Sequence, residues 1–196
     1  MKPAMRKAIE AKVQELFAAT NILEPPVDLD RIAAHLHVPV RYEFLPKDIS
    51  GFLHRDGEAA AIVVNKKHMP ARQRFTIAHE IGHLVFNHNR DQVHVDKTYL
   101  VGLRRDGKEL QGSLKFRADA PPNTIAVHDP EETQANAFAG ALLMPRKMLE
   151  RDLEQALRYG IFDDDLLTVL VDRYEVSMQA LVIQLNTLNM TLTLAP

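Results

Sequence analysis

At 196 residues, with 46% hydrophobic and 26% charged side chains, the chain is long enough for one ordinary domain with its own core, and its composition excludes the disordered and collagen-like classes. A formal net charge of -2 supplies no global basic field for nucleic acid or an anionic membrane. The lack of cysteine excludes disulfide scaffolds, thiolate metal sites and cysteine nucleophiles, so any metal must sit on His, Asp or Glu.

The opening segment MKPAMRKAIEAKVQELFAA mixes Lys, Arg and Glu among its apolar residues and lacks the uninterrupted apolar stretch of a signal peptide. No apolar run approaches the roughly 20 residues that span a bilayer, so a soluble, cytoplasmic protein with no membrane partner is expected. Ala4, Ala8, Ile9, Val13, Leu16 and Phe17 recur at helical spacing and predict an amphipathic helix over 4–19. Pro25 and Pro26 break that pattern. Ile32, Ala33 and Leu36 then share one face of a short helix over 29–36 that Asp28 or Asp30 can cap, and Pro39 closes it.

Strands are expected over 40–44, around 51–54 and over 59–64. The last two meet across Asp56-Gly57, where the glycine tolerates the positive φ of a tight hairpin turn. Pro70 introduces a helix over 71–87. From 91 to 128 the chain is polar and punctuated by Gly102, Gly107, Gly112, Pro121 and Pro122, which predicts loops and a hairpin. Asp129 and Pro130 cap and open a further helix, ended by Pro145. Residues 147–189 read as two or three more helices, divided near 160–164 and at 175–177.

The 71–87 helix carries His79-Glu80-Ile81-Gly82-His83, the HExxH pattern. Residues four apart lie one turn above each other, so both imidazoles can reach one zinc-type ion while Glu80 points beside it, placed to take a proton from a water. Two histidines on an amphipathic helix can also be ordinary boundary residues. Gly82 favours the metal reading, because a glycine inside a helix costs about 1 kcal/mol against Ala and close approach of another element would explain it.

A hydrolytic zinc site needs a third protein ligand. Glu132 with Asn136 one turn later suits it: Glu132 would bind the ion and Asn136 would hydrogen-bond the free ring nitrogen of a ligand histidine. Glu132 could instead be the far half of a capping box with Asp129, and Glu131 competes for the ligand role. An oxyanion-stabilising group is also required, and His88, His94, Tyr99, His128 and Arg74 lie near the motifs in sequence without any of them being singled out.

The run Arg72 to His83, the run Glu132 to Ala139 and the stretch Leu142-Leu143-Met144-Pro145 resemble the ImmA/IrrE family of metallopeptidases. The likeness extends upstream through Pro26 to Leu29, Ile32-Ala33, Ser50-Gly51 and Val64-Asn65, covering most of 5–146. Downstream, Tyr174 to Ser177 with Ala180-Leu181 resembles the helical tail that often follows. The resemblance implies an α+β, gluzincin-like peptidase domain with a small mixed sheet packed on the active-site helix, in residues 1–146. A helical C-terminal part of helix-turn-helix character would fill 147–196, packed on the first. It implies Glu80 as catalytic base, His79, His83 and Glu132 as metal ligands, zinc or manganese as the ion, and a helix-turn-helix repressor encoded nearby as substrate. It also suggests the strand 60–64, with Ala61 and Val63, as an edge to which an extended substrate adds. The departures lie in 91–128 and at Gln184, a place often basic in relatives.

Two other readings compete. Leu170 to Leu188 has the outline of a DNA-reading helix-turn-helix, yet Ser177 to Leu188 contains no Lys or Arg for phosphates and base edges. A metal-binding sensor without catalysis is the other, and the intact Glu80 argues against it.

Overall fold

The computed structural model describes residues 2–57, 59–88, 103–105, 108–110, 129–160 and 163–190. Within them the chain runs α1 (Pro3–Thr20), α2 (Leu29–His35), β1 (Val40–Glu43), β2 (Gly51–Asp56), β3 (Ala59–Asn65), α3 (Pro70–Val85), β4 (Leu103–Arg105), β5 (Lys108–Leu110), α4 (Pro130–Leu143), α5 (Arg146–Arg158), α6 (Asp163–Tyr174) and α7 (Met178–Thr187). Local chemistry sets the boundaries. Asp28 accepts the Arg31 N–H to cap α2, Asp129 accepts the Glu131 N–H to cap α4, and Ser177 accepts the Ala180 N–H to cap α7. Prolines open α1, α3 and α4 at positions where a missing N–H costs nothing.

The three-stranded sheet has the order β1-β3-β2, with β1 parallel to β3 (Val40 opposite Ile62) and β2 antiparallel to it (Gly51 opposite Val64). The expectation that the 60–64 strand forms an edge is therefore corrected: β3 is the middle strand. Its Ile62, Val63 and Val64 are β-branched and fully buried, as suits a strand flanked on both sides. Gly57 takes the hairpin turn at φ 60°.

One continuous core joins Ile9, Val13, Leu16 and Phe17 of α1 to Ile62 and Val64 of β3, Ile77 and Ile81 of α3, Phe138 and Leu142 of α4, and Leu149, Leu166, Leu170, Tyr174, Leu181 and Leu185 of α5 to α7. Each such large apolar side chain contributes about 1.5–3 kcal/mol on burial. A smaller cluster of Leu45, Ile49, Phe52 and Val63 packs elsewhere. Among the described residues no helix is long and apolar enough to cross a membrane.

At the centre, α3 and α4 approach closely because small residues meet. A Cβ added to Gly82 would lie 3.0 Å from a Phe138 ring carbon and 3.2 Å from the Ala135 Cα, so only glycine allows this spacing without displacing the α4 backbone. Gly51 does the same for the sheet, where a Cβ would collide with the Val63 carbonyl and the Thr76 side chain.

Candidate metal centre

The close crossing at Gly82 brings one turn of α4 beside the HExxH turn of α3. Glu132 lies one turn before the Ala135–Asn136 contact, and its carboxylate reaches both histidines. His79 Nε2 is 3.3 Å from Glu132 Oε2, His83 Nε2 is 3.0 Å from Glu132 Oε1, and the two Nε2 atoms are 3.0 Å apart. Among the described residues His79, His83 and Glu132 form the group whose ligand atoms lie close enough together for one ion. The carboxylate of Glu131, the competing acid, is not part of this group.

The donor set fits a divalent metal. A tetrahedral zinc with ligands at roughly 2.0–2.1 Å places neighbouring donors about 3.3 Å apart, close to the spacings here. Two imidazole nitrogens and one carboxylate leave a fourth position for water. Nitrogen and oxygen donors suit zinc and also manganese.

The electrostatics keep the ligand carboxylate charged. Burial alone would raise the pKa of Glu132 and disfavour its charge, but hydrogen bonds from His79 and His83 outweigh this and hold it far below the usual carboxylate range. Burial opposes charge on His79 too, yet the Glu132 hydrogen bond and the nearby Glu80 and Glu132 charges raise it above the ordinary histidine value. A metal ion entering here competes with protons for the same ring nitrogens and carboxylate oxygens. Glu80, buried on α3, follows His79 directly, and its charge is among those that raise His79.

Behind the ligands, His79 Nδ1–H donates to Asn136 Oδ1 at 3.0 Å. His83 Nδ1 faces His88 Nδ1 at 3.1 Å, and His88 Nε2 faces Gln134 Oε1 at 3.0 Å. Burial and the neighbouring His83 lower the tendency of His88 to carry charge, against the opposing Gln134 hydrogen bond. Arg55 of β2 donates to the His83 carbonyl at 3.4 Å, where a guanidinium also complements the end of the helix dipole.

Several other candidates fall elsewhere. Arg74 points away from the cluster: it donates to the Val27 carbonyl at 3.0 Å and pairs with Glu175 at 3.3 Å, joining α3 to the chain before α2 and to the α6–α7 turn. His94, Tyr99 and His128 lie outside the described residues. Val63 is 1% exposed inside the second cluster and has neighbours on both sides, which removes it from substrate contact. Ala61 pairs with His54 of β2 on the inner strand and is corrected with it. Gln184 is buried and donates to the Met144 carbonyl at 3.1 Å. It closes the C-terminus of α4, and Gly140 leaves it room, since a Cβ there would lie 2.9 Å from the Gln184 oxygen.

Sequence reasoning passed over Arg55 and Gln134, and gave His88 no structural task. Gln134 carries no independent signal, since it lies two residues from Glu132 on an ordinary polar helix face. His88 carries a faint one, because Asn87-His88 ends α3 with a residue that tolerates the left-handed region, here at φ 52°.

Comparison with known proteins agrees with this picture. No curated protein matches the chain. A Mycobacterium tuberculosis transcriptional regulator of solved structure superposes with a TM-score of 0.56 at 20% identity, covering 92% of this chain and 46% of that one. The chain thus spans about half of that regulator's length, and at this identity the likeness concerns the fold. The peptidase M78 family, described as the IrrE N-terminal-like domain, matches residues 33–109 and 122–186, most of the chain and both halves of the metal centre. With its α+β architecture, its small sheet on the HExxH helix and a ligand group that could hold a metal, the chain belongs to the IrrE N-terminal-like peptidase family.

Proposed function

We propose that the chain is a metal-dependent endopeptidase that hydrolyses a peptide bond in a protein substrate, with His79, His83 and Glu132 holding zinc, or manganese, and Glu80 acting as general base. The observation that carries this reading is the convergence of the three ligand side chains within hydrogen-bond distance of one another on two helices, with Glu80 following the first histidine. A bound divalent ion supplies acidification of a water and polarisation of the scissile carbonyl. Glu80 takes the proton of that water as its oxygen bonds the carbonyl carbon, then delivers it to the amine nitrogen as the C–N bond breaks. Asn136 holds the His79 ring with Nε2 toward Glu132 and His83, where it would serve as a ligand.

The sheet offers a place for the substrate, at β2 rather than β3. Among the described residues β2 has β3 on one side only. The Asn65 N–H donates to the Ser50 carbonyl, and the alternation of an antiparallel ladder then turns the peptide groups of Gly51, Leu53 and Arg55 outward. An extended substrate segment adds there by main-chain pairing, next to the strand side chain that reaches the His83 carbonyl.

The family resemblance makes a helix-turn-helix transcriptional repressor, encoded nearby, the substrate to test. The regulator neighbour is compatible with a role in transcriptional control. DNA binding by the chain itself is disfavoured: α6 and α7 form a helix-turn-helix outline, but α7 has no Lys or Arg and its Gln184 is turned inward. The division into a peptidase part at 1–146 and a helical part at 147–196 is retained as a proposal, with both parts sharing one core.

The decisive experiment is elemental analysis of purified protein alongside cleavage of the neighbouring repressor by wild type and Glu80→Gln. About one metal per chain in both, with cleavage by the wild type alone, is expected. A metal-free wild type that cannot be reconstituted, or full cleavage by Glu80→Gln, overturns the reading.

A further inference from the structure

The last turn of α3 is built around His88. Phe86 is its C-cap, Asn87 stands in the left-handed region, the Asn87 N–H bonds the Leu84 carbonyl at 3.1 Å and the His88 N–H bonds the His83 carbonyl at 3.0 Å. These are the paired bonds of a Schellman ending, and they double the chain back so that His88 lies against His83. Its ring is 6% exposed, stacks on Phe86 with centroids 5.9 Å apart and meets the His83 ring edge-on at 5.0 Å. A buried polar ring keeps hydrogen-bond partners, and His88 has one for each nitrogen, His83 Nδ1 and Gln134 Oε1.

These contacts can be satisfied together with a metal ligand in only one way. His83 Nε2 faces Glu132 and His79, so to bind an ion it must present a lone pair, which leaves the proton on Nδ1. That N–H donates to His88 Nδ1, which must be unprotonated. The His88 proton then sits on Nε2 and donates to Gln134 Oε1, an acceptor. Resting on the peptidase reading above, we infer that His88 is a positioning residue that holds His83 as the Nδ1–H tautomer with Nε2 ready for metal, and that Gln134 fixes His88 in turn. An imidazole and an amide thus orient the second ligand histidine, while Asn136 orients the first.

The test measures zinc affinity of the metal-depleted full chain by competition with a chromophoric chelator, for wild type, His88→Ala, His88→Asn, His88→Gln and Gln134→Leu. His88→Ala is expected to weaken binding about ten- to a hundredfold. Asn places an acceptor where the His88 Nδ1 stands and should recover most of the loss, whereas Gln places its amide near the Nε2 position and should not. Gln134→Leu should weaken binding less than His88→Ala. Proton NMR of the zinc-loaded chain adds a readout that packing alone would not move, because the His83 Nδ1–H should give a downfield, slowly exchanging signal in wild type and should be lost to solvent exchange in His88→Ala.

Equal affinity in His88→Ala and wild type, or equal recovery by Asn and Gln, overturns the inference while leaving the metal site standing. Should His88→Ala fail to fold, the Asn and Gln variants and Gln134→Leu decide it on the same criteria. Failure of the wild type itself to bind zinc would instead bring down the peptidase reading on which the inference rests.

Discussion

Among the described residues, the carboxylates of Glu132 and Asp152 are both favoured in the charged form by hydrogen bonds that oppose burial, and they differ in what surrounds them. Glu132 faces His79 and His83, whereas Asp152 of α5 accepts from Arg173 at 2.6 Å and from the Tyr174 hydroxyl at 2.9 Å. For both, burial would favour the neutral acid and the hydrogen bonds reverse it. The partners of Glu132 are imidazoles, whose ring nitrogens can exchange a proton for a metal ion. Those of Asp152 are the Arg173 guanidinium, which stays charged, the Arg151 Nε–H at 3.0 Å, and a phenol pushed well above its usual range by burial and by Asp152 itself. Displaceable protons around a carboxylate make a site that a cation can enter; fixed ones make a strut.

The largest expected effect breaks the chemistry and leaves both clusters in place. Glu80→Gln should lower cleavage about 10²- to 10⁴-fold with metal content and melting temperature near wild type, as read by a cleavage assay beside elemental analysis. Loss of metal in this variant would mean that Glu80 supports the ligands rather than the water.

Asp152→Ala tests the other cluster. It leaves the buried Tyr174 hydroxyl without its acceptor, while the part-exposed Arg173 keeps solvent and Glu24, and should cost about 1–3 kcal/mol of unfolding free energy, measured by denaturant titration. Zinc affinity should be unchanged, because the strut joins α5 to α6 and does not touch the α3–α4 crossing. A parallel fall in affinity would show that the two regions are coupled.

The contrast also explains what the sequence made legible. His79, Glu80 and His83 are local, set by helical spacing, and Gly82 announced a close approach, since a Cβ added there would lie 3.2 Å from the Ala135 Cα. The capping of α2 and α4 and the hairpin at Gly57 were readable for the same reason, since each depends on a few adjacent residues. The order of the sheet was not, because the strand 60–64 carries the same apolar run whether it has one neighbour or two. Nor was Asp152, which in sequence is one more acid in the charged run Glu150-Arg151-Asp152, buried only because α6 returns Arg173 and Tyr174 to it. Gln134 and His88 acquire meaning only once α4 lies on α3.

Gly82→Ala should act between the regions in size and at the site in kind. The added methyl gains about 1 kcal/mol of helix propensity but overpacks a backbone contact, at about 1–3 kcal/mol, for a net loss of roughly 1 kcal/mol. Because the displaced turn carries Glu132, metal affinity should fall while the sheet and α5 to α7 are unaffected. Reduced stability with unchanged affinity would show that α4 yields without moving its first turn.

The smallest effect is the sharpest on the comparison itself, because the two clusters predict pH dependences that differ at one end only. Asp152 titrates below its ordinary value in the folded chain, so its contribution is fully present above about pH 4, the unfolded value, and is lost as pH falls through the folded one. Nothing in the strut titrates on the alkaline side near neutrality. In the metal-free chain the Glu132–His79 pair behaves likewise in acid, but His79 is raised, so its contribution is full below about pH 6.5 and disappears as pH climbs through the folded value. Apo stability should therefore decline modestly above neutrality, the decline should vanish in His79→Gln and persist in Asp152→Asn, and zinc affinity should rise over the same interval as protons cease to compete. A decline that survives His79→Gln would place the displaceable proton elsewhere, and with it the distinction between a site and a strut.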